Sequence, residues 1–245
     1  SFIVICSCLI PCCEATDEEL RVVTEHLPPL QIWHKDKQTI EGMAIDVMKR
    51  LLIKTRYNTE IEVMPWARAY ELARTRPNTL IFTIIRTDER EPHFKWVGSI
   101  SPIGHNYLWV LKSKKELNIS DWNEARKYQA VAQRNGAQSI KLQNHGFEEG
   151  KNLYLTTNYG QGIQMVLNAR ADFFLGSDFL AGLFLRHLAI EKSQFNKLMP
   201  HSYDDSLNIA FNKDTPDKIV NQFRAALHEM KQDGSLQTIV NSWAK

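Results

Sequence analysis

The spacing of hydrophobic positions along this chain switches repeatedly, and each switch marks an element. Arg21-Val22-Val23-Thr24 reads as a short strand that Pro28-Pro29 stops. A loop runs to Gly42. From Met43 to Leu52, Ala44, Val47, Met48, Leu51 and Leu52 fall on one side at helical spacing, which predicts an amphipathic helix over a sheet. Ile61-Glu62-Val63 reads as a second strand. Beyond Pro65, Trp66, Ala69, Tyr70 and Ala73 stand at i, i+3, i+4 and i+7, a helix closed by Arg76-Pro77-Asn78. Leu80 to Ile85 is almost continuously apolar, as expected of a strand buried on both faces in a parallel sheet. Strands alternating with helices place the chain in the α/β class.

The alternation resumes downstream. Tyr107 to Leu111, Gln129 to Ala132, Leu153 to Leu155 and Phe173 to Leu175 read as strands, with helices near 137–144, 160–169 and 178–188. Lys112-Ser113-Lys114-Lys115 marks the start of this second α/β unit, and the strand-like run Leu207 to Phe211 marks a return to the first. The pattern predicts two lobes, residues 20–109 with 207–245 and residues 110–206, joined by two crossing segments. Thr215-Pro216-Asp217 predicts a helix with Thr215 as N-cap; Gly234 stops it, and Leu236 to Trp243 forms a last helix.

All four cysteines, Cys6, Cys8, Cys12 and Cys13, lie in the apolar run Phe2 to Cys13, which is about the length of a signal h-region and too short to cross a bilayer as a helix. With Ala15 positioned before a cleavage point, residues 1–15 read as an export signal. The competing reading, a buried N-terminal segment, would crowd every thiol of the chain into one stretch. Leu9-Ile10-Pro11-Cys12 departs from a lipoprotein box because Pro precedes the Cys, so lipid anchoring is not expected. A cysteine-free remainder suits the periplasm, where thiols are oxidised. Thirty basic and twenty-eight acidic side chains are interspersed, leaving no basic stripe for nucleic acid.

Catalytic signatures are missing: no zinc-binding His-Glu-x-x-His, no Gly-x-Ser-x-Gly elbow and no Walker-type loop, and neither a metal nor a cofactor is expected. The informative segment is Thr83 to Arg90, a buried strand ending in a polar turn that starts a short helix. Open α/β sheets bind ligands at such strand ends. Freed backbone amides, a helix N-terminus and an Arg able to grip two oxygens together suit a carboxylate. The alternative is that Arg86 and Arg90 are solvated or paired with Asp88, Glu89 and Glu91.

From Arg21 onward the chain resembles the bacterial extracellular solute-binding proteins of family 3, the receptors of polar amino acid uptake systems. The resemblance rests on Val22-Val23-Thr24-Glu25 with Pro28-Pro29, on Glu41-Gly42-Met43-Ala44-Ile45-Asp46 at the family's Gly-Phe-x-x-Asp helix start, on Thr87-Asp88-Glu89-Arg90 at its Thr-x-x-Arg, and on Ala169-Arg170-Ala171-Asp172 before a strand. It implies a type II periplasmic-binding-protein fold, with Arg90 as the carboxylate-binding Arg and Glu25 lining the cleft. Trp66 would be either an aromatic wall or plain core. In the second lobe Arg134, Gly136 and Gln138 fall in the loop whose amides face the ligand, and Asp178 falls near the acid that pairs with a ligand ammonium, unless it caps the following helix. The sequence departs from the family at three points: Ile85 stands where a ligand-bonding Thr is common, Ala137 replaces the loop Thr, and an extra residue before Asp178 brings Ser177 into play. Arg86 would add a second positive charge and favour a dianion if it faces inward. The resemblance implies a monomeric, periplasmic receptor for an amino acid or related carboxylate, a non-enzyme that delivers its ligand to the permease of an ABC importer. The alternatives are a dehydratase-like enzyme on the same fold, with Glu25 or Asp178 as acid or base, and a free-standing ligand sensor.

Overall fold

Two five-stranded sheets carry the fold in the computed structural model, which describes residues 19–114, 116–201 and 206–243. The expected export signal, with all four cysteines, lies outside the described residues. In chain order the first part comprises β1 (Arg21–Thr24), β2 (Ile32–His34), β3 (Thr39–Glu41), α1 (Met43–Thr55), β4 (Ile61–Val63), α2 (Trp66–Thr75), β5 (Thr79–Ile85) and β6 (Phe94–Pro102). The second part comprises β7 (Asn106–Leu111), α3 (Trp122–Ala125), β8 (Ala130–Gln133), α4 (Ala137–Asn144), β9 (Leu153–Thr156), α5 (Tyr159–Leu167), β10 (Phe173–Ser177), α6 (Asp178–His187) and β11 (Phe195–His201). The chain then returns through β12 (Ser206–Asn212) and ends in α7 (Asp217–Gln232) and α8 (Ser235–Ser242).

The first sheet has the order β4-β1-β5-β12-β6, parallel from β4 to β5 and antiparallel where β12 is inserted. The second, β11-β7-β10-β8-β9, repeats the plan: β10, β8 and β9 are parallel and β7 is antiparallel to both its neighbours. β7 pairs within the second sheet from Asn106 to Val110, and the segment after Pro102 links it to β6 of the first. The β2–β3 hairpin inside the expected loop, together with β6, β11 and the four-residue α3, has no counterpart in the sequence reading; β2 and β3 are only three residues each, with no fully buried position.

Burial explains the helices. On α1, Met43, Ala44, Ile45, Val47, Met48, Leu51 and Leu52 are all buried, and each large apolar side chain among them contributes about 1.5–3 kcal/mol. The helix begins after Gly42, whose φ of 132° and whose approach to the Leu30 carbonyl admit no side chain; a Cβ there would lie 2.3 Å from that oxygen. Asp46 of the same motif has a structural role, accepting a hydrogen bond from Trp243 Nε1 at 2.9 Å that ties the C-terminal segment to α1. The N-cap of α7 is Pro216, not Thr215, whose hydroxyl instead accepts from the backbone N–H of Asn78 at 3.0 Å. Among the described residues no helix is long and apolar enough to cross a membrane.

Candidate functional site

The central strand β5 ends where the two sheets face each other, and its residues are buried along its whole length. Its pairing with β12 is interrupted: Phe82 opposes Ile209 and Ile84 opposes Asn208, leaving Thr83 as the extra residue of a bulge, with φ 58°. A β-branched residue in this left-handed region is strained, and such strain concentrates at functional sites. The Thr83 hydroxyl is held by the Gln31 amide at 2.5 Å, which also reaches the Thr24 hydroxyl at 2.9 Å.

After β5 the chain turns through Thr87–Arg90 into a single 3-10 turn, Glu91–His93, rather than the expected short helix. Pairing of Phe94 with Asn212 starts β6 immediately, so no helix N-terminus contributes here. The turn drives Arg90 inward to 1% exposure. Its guanidinium lies 5.6 Å from the Trp66 ring and 5.2 Å from the Tyr70 ring, two aromatics stacked on α2. Nη1 donates to the Ile85 carbonyl at 2.5 Å, and Nη2 donates across to the Asn135 carbonyl at 2.9 Å.

Asn135 belongs to the loop between β8 and α4, where its φ of 58° turns the carbonyl toward the first sheet. The same oxygen accepts from Trp66 Nε1 at 2.9 Å. Two further bonds link the parts: Gln133 Nε2 donates to Glu25 Oε2 at 2.5 Å, and Asn144 Nδ2 to Glu89 Oε1 at 2.5 Å. Glu25 is 4% exposed, and burial pushes its carboxyl up to about 8, a shift the Gln133 bond only partly opposes.

These contacts enclose an inner cavity of about 40 Å³. Glu25, Leu27, Trp66, Thr83, Ile85 and Arg90 line it from the side of the first sheet, with Leu207 of β12. Gln133, Gly136, Ala137, Gln138, Tyr159 and Leu180 line it from the second. An outer cavity of about 320 Å³ adjoins it through Ile85, Ala137 and Gln138, and is bordered by Arg86, Asp88, Asn106 and His145. The two lie side by side between the sheets, and a cation, an acid and hydrogen-bonding groups line the inner one.

Of the residues singled out in the sequence, the structure brings Arg90, Glu25, Trp66, Ile85, Gly136 and Gln138 together around the inner cavity. Arg86 borders only the outer one; its guanidinium is paired with Glu91 and lies 5.3 Å from the Trp96 ring, so its charge is not added to that of Arg90. Arg134 turns away to Glu149, both side chains half exposed, and lines neither cavity. Asp178 also lines neither: burial would raise its carboxyl, but bonds from Lys192 and Lys197, at 2.9 and 3.0 Å, outweigh that and hold it below its ordinary value. It does not cap α6 either, since the Ser177 hydroxyl accepts from Leu180 N at 3.1 Å.

Sequence reasoning missed Gln133, Tyr159, the Asn135 carbonyl and the bulge at Thr83. Gln133 carried a signal, being a polar residue at the C-terminal end of a buried strand, where open sheets bind ligands. The bulge at Thr83 and the place of Tyr159 depend on pairing and packing that no local pattern encodes.

The sequence profile of the bacterial extracellular solute-binding proteins, family 3, matches residues 20–245. Comparison with curated proteins gives no match. Among solved structures, an ancestral arginine-binding protein bound to arginine is similar at a TM-score of 0.78 and 17% identity, covering 93% of this chain and 98% of that one. A histidine kinase sensor domain with similarity to periplasmic binding proteins matches at 0.78 and 12%, covering 93% and 97%. The ancestral amino acid-binding protein AncCDT-1, a precursor of cyclohexadienyl dehydratase, matches at 0.73 and 18%, covering 93% and 96%. Likeness at such identities carries the fold, the two-lobed type II periplasmic-binding-protein fold expected from the sequence. With a profile match from Leu20 to the last residue laid over that fold, the chain belongs to family 3 of the bacterial extracellular solute-binding proteins.

Proposed function

We propose that this solute-binding protein captures a small polar carboxylate, an amino acid or close analogue, between lobes formed by residues 20–102 with 206–245 and residues 106–201, and presents it to the permease of an ABC importer as a periplasmic receptor. The observation that carries the reading is Arg90, a buried guanidinium set against a stacked pair of aromatic rings just beyond the end of a central strand, in a cavity lined from both sheets. A carboxylate would replace the Asn135 carbonyl as acceptor for Nη2, and Trp66 and Ile85 would cover its apolar side. Glu25, Gln133, Gly136 and Gln138 would receive the rest of the solute, and an ammonium group arriving at Glu25 would favour its carboxylate form against the upward push of burial. Ligand pockets commonly occupy about 300–1,000 Å³. The inner cavity, at about 40 Å³, is far below that, so uptake requires the lobes to separate and re-close on the solute.

A thermal-shift screen of the L-amino acids and small carboxylates tests this, since a ligand at 100 times its Kd stabilises the fold by about 2.7 kcal/mol. The expected result is a stabilising carboxylate recovered unchanged by NMR after incubation. A second reading, an enzyme on the same fold, is favoured by one observation, the Glu25 carboxyl held largely protonated near neutral pH as a general acid would be. Loss of the solute's signals, abolished by Glu25→Gln, would decide for it.

A further inference from the structure

We propose that the phenolic hydroxyl of Tyr159 is a specificity-determining contact of this site, offered from the second lobe to a polar atom of the solute's side chain, apart from its α-amino group and the carboxylate gripped by Arg90. The inference rests on the binding function proposed above. Tyr159 opens α5 directly after Asn158, whose side chain accepts from Gln161 N and fixes the start of the helix. The ring is fastened edge-on by Phe174 at 6.0 Å and Phe184 at 5.0 Å, and it lines the inner cavity with Arg90, Glu25 and Trp66. Yet the hydroxyl oxygen is shut off from solvent and has no hydrogen-bond partner among the described residues.

Phenylalanine would make the same ring contacts without stranding a hydroxyl, and an unsatisfied buried hydroxyl is a net liability to the fold. The structure nevertheless makes room for it. A Cβ on Gly176 would lie 2.2 Å from the Tyr159 oxygen, and the φ of Gly176 is outside the left-handed region, so the tip of the tyrosine is what excludes a side chain there. Two positions distant in sequence, on α5 and β10, thus cooperate to hold one oxygen at the tip of a side chain that lines the cavity. Burial also pushes the phenol further above neutral pH, so the group is an uncharged donor and acceptor. It suits an amide, hydroxyl, amine or second carboxyl on the solute, and a site that bonds such a group discriminates strongly against solutes lacking it. The class of ligand is therefore an amino acid or analogue with a polar side chain, in preference to an aliphatic one.

The test compares wild type, Tyr159→Phe and Gly176→Ala by calorimetric titration with L-glutamine, L-glutamate, L-arginine, L-lysine and L-norleucine. Ligand-free Tyr159→Phe should melt at or above the wild-type temperature, while the Kd of the tightest-binding polar amino acid rises about 10-fold, the loss of roughly one net hydrogen bond. Gly176→Ala, which displaces the hydroxyl but keeps it, should lose affinity in the same direction. Equal Kd values for wild type and Tyr159→Phe, norleucine bound as tightly as the polar amino acids, or a fall of more than about 3 °C in ligand-free Tyr159→Phe would each overturn the assignment and leave the binding function standing. Absence of heat with all five, joined to no stabiliser in the wider screen, would remove both together.

Discussion

Replacing Glu25 with glutamine should change how the stability of this protein depends on pH. The side chain is buried, and its carboxyl sits at about 8 in the fold against 4.5 in an exposed chain. Between those values the folded state holds a proton that the unfolded state has released, so stability is greatest below about pH 4.5 and falls as pH rises toward 8. Each pH unit in that window corresponds to about 1.36 kcal/mol, a ceiling of about 5 kcal/mol across it. Glutamine is neutral throughout and can still bond Gln133. The difference in unfolding free energy between Glu25→Gln and wild type should therefore grow by several kcal/mol from pH 5 to 8 and then level off. Urea denaturation followed by circular dichroism at pH 5, 6.5, 8 and 9 measures it, and taking the difference cancels the other titrating groups. Parallel curves for the two proteins would refute the reasoning, because they would mean that the carboxylate is ionised in the fold.

Gly42→Ala should lower stability by at least about 2–3 kcal/mol, read as a drop in urea midpoint, because both its φ and the Leu30 carbonyl exclude a Cβ. Arg134→Ala, by contrast, breaks a half-exposed pair with Glu149 and should change stability by less than about 1 kcal/mol and leave the Kd of any amino acid found in the screen within a factor of two, by calorimetry.

Much of the fold was legible because its core elements are long or strongly patterned. β4 and α4 fall on the residues their patterns indicated, and α1 only runs three residues further, to Thr55. What escaped notice was held by pairing rather than by pattern: β6 exists because it lies along β12, and β11 because it lies along β7. The site divides along the same line. Arg90 follows a strand end and stands in a short motif, and both clues were visible. Asp178 was placed by analogy in register, and two lysines, Lys192 in the 3-10 turn before β11 and Lys197 on β11, hold it elsewhere. Tyr159 met Gly176 only on folding, so neither residue carried a mark of the encounter in the sequence.

The claim on which the account turns is that Arg90 grips a carboxylate between the lobes. Calorimetric titration of the best-stabilising amino acid into wild type and Arg90→Met, a variant that keeps an unbranched side chain against Trp66 and Tyr70, tests it directly, with circular dichroism as the check on folding. Charge-assisted hydrogen bonds are worth about 1.5–3 kcal/mol each, so the expected outcome is a Kd at least about 10-fold weaker in the folded variant. A folded Arg90→Met that binds as tightly as wild type would contradict it.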